Sequence, residues 1–168
     1  MFKTLKLAAI VVAAALAPAA AQAADQFVGM DKCKSCHKEI HATMKAGPHS
    51  KAQEALASDA AKKINKDAAT DAKCLKCHDT GAGLAADAKA RSFKDGQGVQ
   101  CESCHGPASK HVKARMADEG GAKVADDEIV KKPAEKVCLT CHNKESPTFK
   151  GFKFAEAAKK IEHKQPKK

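Results

Sequence analysis

The sequence predicts a small, mainly α-helical protein with little or no β-structure, in which short helices and loops enclose bulky groups that are not side chains. The chain of 168 residues contains no Trp, no Tyr and only six Phe, so it lacks the aromatic bulk of an ordinary core. Its cysteines recur in one short motif. The segments between the motifs are rich in Ala, Lys and Glu, which favour helices, and Gly and Pro punctuate them.

All eight cysteines lie in four copies of the pattern C-x-x-C-H, which is the attachment site of a c-type haem. The two thiols bond to the vinyl groups of the porphyrin, and the histidine that follows presents its imidazole to the iron. The cysteines are Cys33, Cys36, Cys74, Cys77, Cys101, Cys104, Cys138 and Cys141, and the proximal histidines are His37, His78, His105 and His142. The sequence therefore predicts four haem c groups, stacked together and surrounded by the short helices and loops.

Two other roles for the cysteines explain less of the pattern. C-x-x-C is also a zinc-ligand spacing, but a zinc site gives no reason for a histidine after every second cysteine. Eight cysteines in a short secreted chain could form four disulfides, which again would leave the four histidines unexplained.

The N-terminus predicts export. Lys3 and Lys6 precede an unbroken apolar run over residues 7–16, and a small-x-small cleavage signal follows at residues 21–23. We therefore expect a secretory signal peptide at residues 1–23 and one tetrahaem cytochrome c domain at residues 24–168. Because haem is attached to bacterial cytochromes c outside the cytoplasm, the expected location is the periplasm, with further export to the cell exterior as the alternative. We expect no membrane span after cleavage.

Lysine dominates the charge of the chain. The net charge is +10, and removal of Lys3 and Lys6 with the signal peptide leaves +8, much of which haem propionates would offset. The chain has only two arginines and no nucleic-acid-binding motif, so we expect no nucleic acid partner. A lysine-rich face could attract an acidic redox protein as electron donor or acceptor. Lysines that serve only solubility explain the composition equally well.

The remaining elements follow in chain order. The first motif segment ends at Gly47-Pro48, and residues 50–66 are predicted to form one helix with Ser50 as its N-cap. Loops are expected at residues 79–83 and 96–98. Pro107 is expected at the first position of a helix that Gly120-Gly121 ends. Residues 126–136 lead to the fourth motif, and residues 152–163 form a final helix.

Four further histidines match the four haems in number. Six-coordinate c-type haems need a second axial ligand, usually His or Met. Once the proximal histidines are assigned, His41, His49, His111 and His163 remain. His41 lies four residues after His37, on the same helical face, so it cannot reach the distal side of the haem that His37 holds. It could bind a neighbouring haem or have no ligand role.

Three segments resemble the cytochrome c-554 family of tetrahaem cytochromes. The third motif with its flanks, C-E-S-C-H-G-P at residues 101–107, is similar to that family, as is G-P-H-S-K-A at residues 47–52. The segment F-K-F-A-E at residues 152–156, before His163, resembles the family segment that precedes a C-terminal ligand. The resemblance extends over most of the chain after residue 23, although this chain lacks the longer loops and C-terminal extension of the family.

The resemblance implies a crossed ligation scheme, in which each distal histidine comes from a distant part of the chain. The implied pairs are His111 opposite His37, His163 opposite His105, and His49 opposite His142. In the best-known member, the second haem is five-coordinate, so the His78 haem would bind a small ligand such as nitric oxide. If His41 reaches that iron, all four haems are closed.

The expected function is periplasmic electron transfer by mostly bis-His-ligated haems, without catalytic residues. One alternative is an enzyme that reduces nitric oxide or a related nitrogen oxide at an open second haem. Another is a subunit of an extracellular cytochrome filament, with His41 binding a haem of the next subunit. Apart from the open coordination position that the resemblance allows at the second haem, the sequence contains no set of catalytic residues. This favours the electron carrier.

Overall fold

The structure is a computed structural model that describes residues 24–118 and 123–163. The predicted signal peptide and the Gly120-Gly121 helix stop lie outside these residues. Within the described part of the chain, no helix has the length and apolar character needed to cross a membrane.

Short helices account for the regular structure. In the described ranges they are α1 Met30–Cys33, α2 Lys38–Ala46, α3 Ala52–Ala55, α4 Asp59–Ile64, α5 Ala72–His78, α6 Cys101–His105, α7 Ser109–Ala117, α8 Glu135–Cys138 and α9 Phe154–Ile161, with one 3-10 turn at Ala86–Ala88. A lone parallel β-bridge joins Phe27 to Lys89, and residues 24–118 and 123–163 contain no strand. The predicted mainly α-helical fold is confirmed.

Two predicted helix boundaries were wrong. Residues 50–66 form two helices, α3 and α4, because the Ser58 hydroxyl accepts a hydrogen bond from the Ala61 amide and begins a new helix. The Ser50 hydroxyl instead donates to carbonyls at the end of α2, 2.8 Å from the Lys45 oxygen. Pro107 precedes α7, which begins two residues later at Ser109.

The core of side chains is very small. Among the described residues, the buried apolar side chains are those of Val28, Met30, Leu56, Ala68 and Ala108. Two of these five are alanines, which bury little area. The helices therefore do not pack around a conventional hydrophobic core, as the composition predicted.

An N-terminal strap, residues 25–30, holds distant segments together with polar contacts. The Gln26 amide donates to the Ser109 hydroxyl over 2.9 Å, at the start of α7. The Met30 amide donates to the side-chain oxygen of Gln100 over 2.8 Å, just before α6. Gln100 is fully buried. The strap thereby fixes the first motif next to the third.

Gly98 allows a close backbone approach beside His49. Its φ is +71°, and a Cβ at this position would lie 2.5 Å from the Ser50 carbonyl oxygen. The next residue, Val99, donates its amide to the His49 carbonyl over 2.9 Å. Position 98 therefore needs a residue that adopts a left-handed φ and has no Cβ, and only glycine does both. Gly98 therefore helps to position His49.

Candidate haem-attachment sites

Each C-x-x-C-H motif adopts a helical turn, which places its three reactive side chains together. In the first motif the His37 amide donates to the Cys33 carbonyl over 2.9 Å, and in the fourth the His142 amide donates to the Cys138 carbonyl over 2.9 Å. The second and third motifs lie inside α5 and α6. Residues i, i+3 and i+4 share one face of a helix, so both thiols and the imidazole point to the same side.

The cysteines themselves are available for attachment. None of the eight forms a disulfide, and all are at least partly exposed. In the described part of the chain, no group of three or more His, Cys, Asp or Glu side chains is arranged to hold a bare metal ion. The eight cysteines are thus free thiols, and among the described residues they belong to no bare-metal cluster.

Three pairs of imidazole rings lie at similar separations. One ring of each pair follows a C-x-x-C motif, and the other comes from a distant segment. The ring centroids are 6.3 Å apart for His37 and His111, 6.1 Å for His49 and His142, and 5.8 Å for His105 and His163. These are the same three pairs that the family resemblance implied.

A separation of this size fits one metal ion between two rings. A metal-bound imidazole nitrogen lies about 2.0–2.1 Å from the metal and its ring centre roughly 1.1 Å further, so two opposed ligands have centroids roughly 6 Å apart. The ring of His142 also stacks on Phe152, with centroids 4.9 Å apart. The separations within the three pairs are therefore those expected of two histidines that bind one metal ion.

Four of the histidine rings, including that of His78 in the second motif, have their Nδ1 atom close to an oxygen. The distances are 2.6 Å from His78 to the Ala52 carbonyl, 2.6 Å from His105 to the Val130 carbonyl, 3.1 Å from His163 to the Ile161 carbonyl, and 3.2 Å from His111 to a Glu128 carboxylate oxygen. An Nδ1–H that donates to oxygen fixes the tautomer and leaves the Nε2 lone pair free for a metal. This is the usual outer contact of a metal-binding histidine.

His49 has no such Nδ1 contact with an oxygen among the described residues, but its ring is partly buried and lies near His142. Burial, followed by the charge of the nearby His142, lowers the pKa of His49. Both effects disfavour protonation of this ring, and a neutral imidazole is the form that binds iron.

The second motif differs from the other three. Within residues 24–118 and 123–163, no imidazole ring is paired with His78 in the way that the other proximal histidines are paired. His41 is buried at 7% exposure on α2, and its Nε2 atom has no hydrogen-bond partner. The structure thus pairs His49, His111 and His163 with proximal histidines and leaves His41 outside any such pair.

Contacts between motifs indicate which attachment sites are neighbours. Interaction with the Cys101 thiol, together with burial, raises the pKa of Cys33, which places the first motif beside the third. Burial and then the Cys141 thiol raise the pKa of Cys77 to about 11, and the Cys77 sulfur lies 4.0 Å from the Thr140 carbonyl. The second motif is therefore beside the fourth.

Glu102 anchors the third motif, and the sequence analysis missed this role. Its carboxylate accepts hydrogen bonds from the backbone amides of Val28 (2.8 Å), Gly29 (2.7 Å) and Ala108 (2.9 Å), and the residue is only 2% exposed. Burial raises the pKa of this carboxyl. Glu102 is the one acidic residue between the two cysteines of any motif, and this difference could have identified it as a residue with a special role.

Replacing Glu102 is expected to destabilise the protein in proportion to the bonds lost. Glu102→Ala leaves the buried amides of Val28 and Gly29 without an acceptor, whereas the Ala108 amide still donates to the Gln26 carbonyl over 3.2 Å. The free energy of unfolding should fall by about 2 kcal/mol or more, since each orphaned donor costs about 1–3 kcal/mol. Glu102→Gln keeps one acceptor oxygen and should cost about half as much. Guanidinium unfolding of the haem-loaded protein, followed by circular dichroism, measures both. The exposed Glu156→Ala is the control, and an equal loss in all three variants would contradict the anchoring role.

Comparison with known proteins agrees with this geometry. Residues 32–106, which contain the first three motifs, match the family described as "Cytochrome c554 and c-prime". The chain is also 34% identical over 146 residues to Cytochrome c-554 of Nitrosomonas europaea, in an alignment that covers 76% of this chain and 62% of that protein. The chain thus spans less than two thirds of the relative's length.

No solved structure gives a significant match to this chain. The family and the relative that the chain matches are both c-type cytochromes. The implied cofactor is haem c, which the C-x-x-C-H motifs require independently. The two matches support assignment of the chain to the cytochrome c-554 family.

Proposed function

We propose that this chain is a periplasmic electron carrier with four covalently attached haem c groups, three of them ligated by two histidines. The single observation that best supports this is the set of three imidazole pairs with centroids 5.8–6.3 Å apart. In this proposal His37 and His111 hold the first haem, His105 and His163 the third, and His142 and His49 the fourth. Bound haem supplies a one-electron couple between ferric and ferrous iron.

The residues around the motifs serve electron transfer by holding the attachment sites close to one another. The strap and Glu102 hold the first and third motifs together, and the contact between Cys77 and Thr140 joins the second and fourth. Short distances between haems are what single-electron transfer requires. The Nδ1 contacts of four rings, His78, His105, His111 and His163, fix their tautomers and help to hold them in place.

The number of haems can be counted directly. Mass spectrometry of the intact mature protein should show the polypeptide mass plus four haems, with residues 1–23 removed. A double Cys→Ser variant of any one motif should carry three haems. A mature protein with fewer haems, or with zinc in their place, would overturn the proposal.

A cationic patch beside the first motif supports docking of an acidic redox partner. This patch, the lysine cleft, is lined by Asp31, Lys34, Lys38, His41, Ala42, Lys45, Ala46 and Lys51. Its four lysines are exposed, and its one carboxylate already pairs with Lys94 at 2.8 Å. The bond from Lys94 holds the pKa of Asp31 below its usual value. Since Lys34 lies between Cys33 and Cys36, the positive field is centred beside the first haem.

Charge reversal in the lysine cleft is expected to slow electron exchange with anions. The double variant Lys45→Glu/Lys51→Glu should reduce the second-order rate constant with ferricyanide by roughly tenfold at low ionic strength, because steering changes such rates by about 10- to 1000-fold. Stopped-flow measurements at several salt concentrations test this. Lys62→Glu/Lys63→Glu on α4 carries the same charge change outside the cleft and is the control. Equal slowing by both variants would contradict a docking role for the cleft.

Binding of a small molecule at the second haem is a second candidate function. The observation that favours it is that His78 faces no imidazole among the described residues, unlike the other proximal histidines. An open iron there could bind nitric oxide and reduce it, or a related nitrogen oxide, with electrons from the other haems. Addition of nitric oxide to the reduced protein should then change the absorption spectrum of one haem in four. An unchanged spectrum would exclude this candidate.

The burial of His41 argues against the filament alternative. A histidine that binds a haem of the next subunit must reach beyond the surface of its own chain. His41 is only 7% exposed on α2, so it would have to leave its present packing to do this. Electron transfer by a single chain needs no such rearrangement.

A further inference from the structure

The histidine proposed as distal ligand of the first haem has an outer contact unlike those of three other histidines. The Nδ1 atoms of His78, His105 and His163 lie next to backbone carbonyl oxygens, whereas that of His111 lies 3.2 Å from a carboxylate oxygen of Glu128. A carboxylate is a stronger acceptor than a neutral carbonyl, because it carries charge. It therefore draws the Nδ1 proton further and makes the ring a stronger donor to a metal.

Glu128 is held in place from several sides. The Arg115 guanidinium donates to its Oε1 atom over 3.0 Å, and the Ala125 amide donates to the same oxygen over 3.0 Å. Its Oε2 atom is thereby turned towards His111. Since His111 and Arg115 are one turn apart on α7, a single helical face presents both partners to the carboxylate.

The contact is shielded from water. The side chains of His111 and Glu128 are 13% and 9% exposed. A negative charge in these surroundings is weakly screened by solvent.

The segment that carries Glu128 also reaches the third motif. Val130 donates its amide to the His105 carbonyl over 3.1 Å and accepts at its own carbonyl from the His105 ring over 2.6 Å. Lys110 on α7 pairs with Asp127 in the same segment. Residues 125–130 thus supply the acceptors for two histidines. Glu128 provides a charged acceptor for His111, and two residues later the Val130 carbonyl provides a neutral one for His105.

We propose that Glu128 is a positioning residue that lowers the reduction potential of the first haem by strengthening His111 as an axial ligand. Stronger donation and a nearby negative charge both favour ferric over ferrous iron. The first haem would then have the lowest potential of the three bis-His centres. This inference rests on the proposed function, because it requires a haem between His37 and His111.

Glu128→Gln tests the inference with little change in shape. The amide removes the negative charge but keeps an oxygen acceptor, so we expect the midpoint potential of the first haem to rise while the others stay in place. Potentials are measured by redox titration of the intact protein, followed by EPR. The first haem is identified as the centre that becomes high-spin in His111→Ala. Glu156→Gln, an exposed carboxylate that pairs with Lys153, is the matched control.

Each outcome decides for or against the inference. A rise confined to the first haem supports it, and Glu128→Ala should then produce a larger rise. An unchanged first potential in a folded Glu128→Gln protein with four haems would overturn it and leave the proposed function intact. Equal shifts of all four potentials would also overturn it, since they indicate a general charge effect. A protein without bound haems would instead refute the proposed function, as the haem count shows independently.

Discussion

The chain is expected to remain unfolded when haem is not attached. The described residues bury only five apolar side chains, and two of these are alanines. Fixing the backbone of each residue costs about 1–2 kcal/mol in conformational entropy, so a core this small cannot offset the ordering of the chain. The four porphyrins are expected to supply the missing buried surface.

The helices cannot compensate for the missing core. The longest, α2 and α7, have nine residues each, and three of the others have four. Isolated helices shorter than about 12–15 residues are marginal in water. Tertiary contacts must therefore stabilise them, and in this protein the expected contacts are with haem.

Circular dichroism of the chain over residues 24–168, produced in the cytoplasm without haem attachment, tests this prediction. We expect little helix and no cooperative melting, whereas the exported, haem-loaded protein should show both. Rapid digestion of the haem-free chain by a protease should accompany the loss. A haem-free chain with native helix content and a cooperative transition would show that the polypeptide folds by itself.

Removal of one distal histidine is expected to convert one haem from low-spin to high-spin. His49→Ala takes away the ring that lies 6.1 Å from His142, so the fourth iron would keep only its proximal ligand. Ligand identity sets haem potentials over about 0.8 V, and loss of an imidazole should raise the potential of that centre substantially. The effect should be confined to one haem, because the other two pairs use different residues.

His41→Ala is the matched control for this experiment. Both substitutions remove a histidine that is at least partly buried, but His41 belongs to none of the ring pairs. EPR and absorption spectra of the two oxidised variants should therefore differ by one high-spin haem. If His49→Ala leaves the spectra unchanged, the assignment of His49 as a ligand is wrong. A new high-spin haem in His41→Ala would instead show that His41 is also a ligand.

The sequence predicted the parts of this protein that depend on local chemistry. Four C-x-x-C-H motifs carry their geometry in their spacing, because positions i, i+3 and i+4 share a helical face. The three distal histidines came from the family resemblance, and the structure brings the same pairs together. The ligand roles themselves stay predictions until haem is observed between the rings.

The sequence did not predict features that depend on contacts between distant residues. Glu102 and Glu128 look like ordinary acidic residues, and their roles appear only when the strap and α7 are in place. The break between α3 and α4 was missed because helix propensity is nearly continuous over residues 50–66. The break depends on a single N-cap hydrogen bond at Ser58, which propensity does not indicate. The burial of His41 likewise depends on how α2 packs.

The central claim is that three haems are closed by pairs of histidines and the second is open on one side. The EPR spectrum of the purified, oxidised wild-type protein tests it most directly. We predict three low-spin ferric haems and one high-spin ferric haem, and we expect His41→Ala to leave this ratio unchanged. Four low-spin haems, one of which becomes high-spin in His41→Ala, would contradict the claim and identify His41 as the missing ligand.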